Sequence, residues 1–121
     1  IVMSPLAIAI YKQLRRRVRA RREDPTLTYA ELANTLDYRH ATHPCSPRLH
    51  AVLTDVTEAC KQQGLPCLPA IVCRADNHRP SSGYYKVAHP RAQTEEAQLA
   101  AWEREYARVI READTFPTSL P

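Results

Sequence analysis

Apolar residues recur at helical spacing in four segments of the chain, and a capping side chain precedes each segment. In the first segment, Pro5 occupies the first helical position, where proline is favoured. In the second, Glu31 lies three residues after the capping threonine, which is the arrangement of a capping box. The four capping residues are Ser4, Thr28, Ser46 and Thr94. The pattern predicts helices over residues 5–22, 28–36, 46–64 and 94–113.

The stretch between the third and fourth predicted helices contains two short runs that are typical of strands. Residues 68–74 are apolar, and residues 83–88 alternate between polar and apolar positions. In a strand, Tyr84 and Tyr85 would point to opposite faces, one into the core and one outward. Residues 76–83 are rich in turn-forming residues. The two runs are therefore predicted to pair as an antiparallel hairpin.

The order of these elements predicts the fold class. We expect an α+β protein, a winged helix-turn-helix with three helices, a β-hairpin wing and an additional C-terminal helix. Residues 37–45, which have no clear period, are expected to form a connecting loop. The domain is expected to span residues 1–114, and residues 115–121 are expected to form a flexible tail. Proteins with this fold most often bind DNA.

Composition indicates a single globular domain with a positive charge. Of its 121 residues, 44% are apolar and 25% are charged, and the formal net charge is +4. The length suits one domain, and the charge favours anionic partners. No apolar stretch reaches the roughly 18–20 residues that span a bilayer, and residues 1–10 lack the features of a signal peptide. We therefore expect a cytoplasmic protein that does not enter membranes.

Arginine occupies six of the eight positions from residue 15 to residue 22. A guanidinium group matches phosphate oxygens, and several together release counterions when they bind nucleic acid. Cations near a helix C-terminus are also favoured by the helix dipole. The cluster is therefore predicted to bind phosphates, with a solvated helix end as the alternative.

The four cysteines are Cys45, Cys60, Cys67 and Cys73. No two of them form a C-x-x-C pair, and we expect reduced, buried thiols, with disulfides as the alternative. His40-x-x-His43 is the closest approach to a zinc site, and no second ligand pair completes it. With only Gly64 and Gly83, the chain cannot form a Gly-rich phosphate loop. We therefore expect no metal, no cofactor and no enzymatic activity.

Residues 27–33, with the sequence LTYAELA, resemble the V-S/T-Y-G-E-L-A segment of the alkylguanine-DNA alkyltransferases and the non-catalytic alkyltransferase-like proteins. Later motifs follow in a similar order, as far as about residue 85: Pro-Arg at residues 47–48, Leu-Pro-Cys at residues 65–67, an apolar run at residues 70–73 and Gly-Tyr at residues 83–84. In that family, a winged helix holds DNA through the minor groove, an arginine enters the base stack and a tyrosine turns the target nucleotide outward. The resemblance implies that Tyr29 is this tyrosine and that Arg48 is this arginine.

The active motif of the alkyltransferases, P-C-H-R-V, is not kept in this chain. Pro66 and Cys67 are followed by Leu68 and Pro69, so the histidine that activates the thiolate in that family is missing. A cysteine without such help stays mostly protonated near neutral pH. A thiol enzyme at Cys67 is therefore only a distant alternative.

We predict a non-enzymatic nucleic-acid-binding protein, with DNA as the expected partner and RNA as an alternative. A protein-interaction module on the same scaffold is the main rival. It is favoured by the mixed charge of the third helix and by the aromatic residues Tyr84, Tyr85 and Trp102, if they are exposed. The residues predicted to contact nucleic acid are Arg15, Arg16, Arg19, Arg22, Tyr29, Arg48, Arg74 and Lys86.

Overall fold

The computed structural model describes residues 3–36 and 46–120, and 64% of these residues are helical while only 4% are in strands. The described part has five α-helices, two short 3₁₀ helices and a sheet of two short strands. In chain order, the elements are α1 (Pro5–Ala20), β1 (Leu27–Thr28), α2 (Tyr29–Thr35), α3 (Pro47–Gln62), the 3₁₀ helix η1 (Leu68–Ile71), β2 (Val72–Cys73), α4 (Ser82–Ala88), α5 (Glu95–Arg111) and the 3₁₀ helix η2 (Ala113–Thr115). The predicted loop at residues 37–45, and with it the zinc alternative, lies outside the described residues.

The four predicted helix starts are confirmed, because every predicted cap accepts a hydrogen bond from a backbone N–H of its helix. The capping box of α2 is complete. The Glu31 N–H donates to Thr28 Oγ1 over 3.1 Å, and the Thr28 N–H donates to Glu31 Oε1 over 3.0 Å. Gly64 follows α3 with a φ of 70°, a conformation that glycine adopts without strain. Local side-chain chemistry thus determines where these helices begin.

The predicted β-hairpin wing is wrong, and with it the winged helix-turn-helix. The only pairing in the described residues is parallel, with Leu27 opposite Val72 and Thr28 opposite Cys73. The first predicted strand, residues 68–74, begins as η1, because Pro69 fits the first turn of a helix and cannot donate to a ladder. The second predicted strand is replaced by α4.

The helical conformation of α4 also changes the burial of Tyr84 and Tyr85, which were expected to point to opposite faces of a strand. Tyr84 and Tyr85 are both buried, with 7% and 8% of their surfaces exposed. Their rings meet edge to face, with centroids 5.4 Å apart. Both rings therefore belong to the core, and neither supports an exposed aromatic surface.

The core is built around α1, which packs against α2, α3, η1 and η2. Its residues Leu6, Ile10 and Leu14 are fully buried. The tail that was expected from residue 115 contributes to this core, since Phe116 is only 1% exposed. Its backbone carbonyl accepts a hydrogen bond from Arg15 Nε over 3.0 Å. Phe116, which lies within the predicted tail, is thus held in the core, because burial of its apolar ring offsets the conformational entropy that the chain loses.

The described helices include none that is both long enough and apolar enough to cross a membrane.

Candidate nucleic-acid interface

A cavity of about 410 Å³ opens where α2, α3 and α4 approach one another. This volume lies within the range of about 300–1,000 Å³ that is typical of small-molecule pockets. We call it the Tyr29 cavity, and the residues that line it are Tyr29, His50, Ala51, Leu53, Thr54, Thr57, Pro69, Val72 and Ser81–Tyr84.

Tyr29 connects three elements around this cavity. Its hydroxyl donates to Ser81 Oγ over 2.8 Å and accepts from the Ser81 N–H over 3.2 Å. Its ring packs on the ring of His50, with centroids 4.8 Å apart and an angle of 34° between the planes. One half-buried side chain at the start of α2 thus fixes both the start of α4 and a ring on α3.

The wall of the Tyr29 cavity combines rings, apolar atoms and hydroxyl groups. The rings come from Tyr29, His50 and Tyr84, and the hydroxyls come from serine and threonine side chains. Among the described residues, none that lines it is a carboxylate or a cysteine. Such a wall suits a flat, uncharged ring with polar edges, because aromatic faces stack on it and hydroxyls can both donate and accept.

Arg48 lies in the first turn of α3, and its side chain is exposed. It does not line the Tyr29 cavity itself. Ala51, which is three residues further along the helix, does line it, and residues three apart share a helix face. The structure thus brings two predicted contact residues, Tyr29 and Arg48, to one region.

The arginines of the predicted cluster, residues 15–22, do not line the Tyr29 cavity, and several of them bind other parts of the chain. Arg15 binds the Phe116 carbonyl, and Arg22 forms an ion pair with Asp114. Arg16 and Arg19 are exposed and line a separate concave surface of α1. The predicted cluster therefore does not act as one surface around Tyr29.

The last two predicted contact residues are also on the surface. Arg74 follows β2 and forms a two-bond ion pair with Asp76, with distances of 2.8 and 3.0 Å. This pairing neutralises the charge that was expected to face phosphate. Lys86 is exposed on α4, the helix whose first turn lines the Tyr29 cavity.

Cys67 lines a different cavity, of about 280 Å³, which we call the Cys67 cavity and which His89 and Glu105 also line. The Cys67 N–H donates to Glu105 Oε2 over 2.7 Å. Burial, together with the negative charge of Glu105, raises the pKa of the Cys67 thiol far above its usual range. The thiol is therefore protonated at neutral pH and is a poor nucleophile.

His89 and Tyr84 connect the Cys67 cavity to the Tyr29 cavity. The Tyr84 hydroxyl lies 2.9 Å from His89 Nε2, and the Tyr84 ring lines the Tyr29 cavity. Burial lowers the pKa of His89, so the neutral imidazole is favoured. Within the described ranges, no three histidine, cysteine or acidic side chains are grouped to hold a metal ion.

Sequence reasoning did not identify His50, Ser81, His89 or Glu105. Ser81 precedes a Ser-Gly pair, a pattern that indicates only a turn, yet it contacts Tyr29 across 52 residues of chain. Contacts of this kind leave no periodic pattern in the sequence.

Comparison of the chain with protein-family models, with curated proteins and with solved structures gives no match. Its function is therefore inferred from the geometry and chemistry of the Tyr29 cavity.

Proposed function

We propose that this protein binds nucleic acid without modifying it, that DNA is its partner and that the Tyr29 cavity receives one base turned out of the stack. The observation that carries the proposal is the cavity wall of aromatic rings and hydroxyls beside an exposed arginine. A base in an extrahelical position is recognised by stacking and by hydrogen bonds to its edge. Both kinds of contact are available from Tyr29, His50 and the hydroxyls of Ser81 and Ser82.

The surroundings of the cavity suit a polyanion. Arg48 and Lys86 are exposed on helices that border it, and the whole chain carries a formal charge of +4. Arginine and lysine side chains at such a site would contact the phosphates on either side of the extruded nucleotide. The carboxylate-free wall supports the same proposal, because no described acidic side chain would repel the backbone inside the cavity.

The proposal that the bound base is not modified is supported by the position of the Cys67 thiol. Cys67 does not line the Tyr29 cavity, and burial raises the pKa of its thiol. A base held beside Tyr29 would therefore meet no activated thiol among the described residues. The resemblance of residues 27–33 to the alkyltransferase-like proteins supports this proposal, since it implies that Tyr29 acts on a nucleotide that is turned out of the stack.

The test uses a short DNA duplex that carries 2-aminopurine, a base analogue whose fluorescence rises when it leaves the stack. We expect fluorescence to rise on binding, and to rise more when the analogue is mispaired, because an unpaired base costs less to extrude. We also expect affinity to fall steeply with salt.

Arg48→Ala should weaken duplex binding and reduce the salt slope by about 1, as expected for the loss of one phosphate contact. The matched control is Arg104→Ala, which removes another exposed arginine, on α5, that does not line the cavity. Failure to bind either DNA or RNA at low salt would refute the proposal. Binding without a change in 2-aminopurine fluorescence would refute the role of the cavity.

A further inference from the structure

We propose that the outer surface of α1 docks an acidic, amphipathic helix of a partner protein. This surface consists of two adjoining grooves that share Lys12 and Arg16. One groove, the basic groove, is lined mostly by cations. The other, which we call the apolar groove, adds apolar side chains such as Ile8 and Leu36 to polar and basic ones. Neither contains Tyr29 or Arg48, so this inference stands independently of the nucleic-acid proposal.

The basic groove, of about 560 Å³, lies between α1 and the C-terminal segment of the described chain. The Tyr11 hydroxyl donates to the Pro117 carbonyl over 2.5 Å, which holds that segment against the helix. The hydrogen bond from Arg15 Nε to the Phe116 carbonyl fixes one guanidinium at the same place. The side chains that define the basic groove are Lys12, Arg15, Arg16, Arg19 and Thr118.

The apolar groove, of about 450 Å³, continues along α1 toward its N-terminus. Ile8 is 40% exposed there, and it is the one large apolar side chain that is so exposed in the described residues. Leu36, at the end of α2, forms part of the opposite wall. The residues that define the apolar groove are Pro5, Ile8, Ala9, Gln13, Thr35 and Leu36, together with the shared Lys12 and Arg16.

The two grooves form one continuous stripe, because Ile8, Lys12 and Arg16 follow one another at intervals of four residues. At a rise of about 1.5 Å per residue, this stripe is about 12 Å long. It matches two to three turns of a partner helix that has apolar residues at one end of its contact face and acidic residues at the other.

The positive charge of the basic groove favours a partner with acidic side chains. No described acidic side chain lines either groove, and Lys12 and Arg16 are exposed there. Of the other two cations of the basic groove, Arg15 donates to the Phe116 carbonyl, and the charge of Arg19 adds to the hydrogen bond from Arg22 in lowering the pKa of Asp114. The phosphates of a nucleic acid could bind these cations, but they would make no favourable contact with the apolar side chains of Ile8 and Leu36. An acidic amphipathic helix satisfies both grooves at once, since apolar burial and charge complementarity act together.

The probe is a synthetic, fluorescein-labelled helical peptide with leucines at one end of one face and glutamates at the other. Its control is a scrambled peptide of the same composition. We expect the ordered peptide to bind more tightly than the scrambled one, as measured by fluorescence anisotropy. Ile8→Ser and the charge reversal Arg16→Glu should each weaken its binding about tenfold, the effect expected of a central interface residue.

Arg104→Glu is the matched control, because it makes the same charge change on α5 and should leave peptide affinity unchanged. Circular dichroism checks that each variant is folded, and these substituted residues are all exposed. Equal binding of both peptides would overturn the proposal, since charge alone would then explain the affinity. Full displacement by duplex DNA with no effect of Ile8→Ser would assign the surface to nucleic acid instead. Self-association that depends on Ile8 would assign it to a second copy of this chain.

Discussion

Tyr29→Phe is the substitution that tests the Tyr29 cavity with the least disturbance. It removes one hydroxyl and keeps the ring, so the packing against His50, with centroids 4.8 Å apart, is retained. Two hydrogen bonds are lost, at 2.8 Å to Ser81 Oγ and 3.2 Å from the Ser81 N–H. The start of α4 then loses its connection to α2.

The loss in folding free energy can be bounded from these contacts. A hydrogen bond of this kind contributes about 0.5–1.5 kcal/mol net. Ser81 is half-buried, so water can replace part of what Tyr29 supplied. We therefore expect about 1 kcal/mol of destabilisation for both bonds together. For a chain of 121 residues this lowers the melting temperature by about 4 °C.

Differential scanning calorimetry measures this shift, and Tyr106→Phe provides the matched control. Tyr106 donates only one long, exposed bond, 3.3 Å to Asp24 Oδ1, so its removal should lower the melting temperature less. The same Tyr29→Phe variant should give a smaller rise in 2-aminopurine fluorescence on the DNA duplex. Unchanged melting and an unchanged fluorescence response would refute the role given to the Tyr29 hydroxyl.

Three further predictions concern the packing of α5 and the thiols. Trp102→Phe should cost about 1–3 kcal/mol in urea unfolding, because the buried Ala70 carbonyl loses its 2.8 Å hydrogen bond from Trp102 Nε1. In a Cys45→Ser background, the remaining three thiols are buried, so they should react with Ellman's reagent at pH 8 only after denaturation; rapid reaction of the native protein would contradict this. Burial raises the pKa of the Cys60 thiol from 9.0 to about 11, so the folded protein keeps this thiol protonated at a pH at which the unfolded chain ionises it. Protonation of Cys60 therefore stabilises the folded state. This stabilisation is complete below about pH 9 and is lost as the pH rises toward 11, which denaturant titrations across that range would measure.

The helices were predictable because their determinants are local. A cap and its N–H donor lie only two or three residues apart, and the sequence contains both partners in each of the four predicted helices. Gly64 likewise marks the end of α3 through its own backbone conformation. The fourth predicted helix, residues 94–113, was also found, although its stripe is less buried than expected, with only Val109 fully inside.

The wing was not predictable because short apolar runs do not determine their own conformation. The alternation at residues 83–88 fits a strand, yet Tyr84 and Tyr85 bury equally well as neighbours in a short helix. The parallel pairing of Leu27 with Val72 depends on elements that lie between them in the chain. No local pattern encodes such a pairing.

The candidate site was likewise only partly predictable from the sequence. Tyr29 was found through the resemblance of its own segment, but its partners His50 and Ser81 come from distant segments. The arginine cluster could be identified in the sequence. The sequence did not show that some of its members bind within the molecule while others remain exposed. Arg15 and Arg22 bind within the molecule because the C-terminal segment returns to α1.

We expect the parallel ladder between β1 and β2 to form late in folding, because its strands are connected through α2, α3 and η1. Closing such a long loop costs entropy before any contact compensates for it. Tyr29 directly follows β1 and Val72 begins β2, so the Tyr29 cavity is completed at this same step. A ligand bound in the cavity would therefore slow amide hydrogen exchange in both strands, since it must leave before the loop can open.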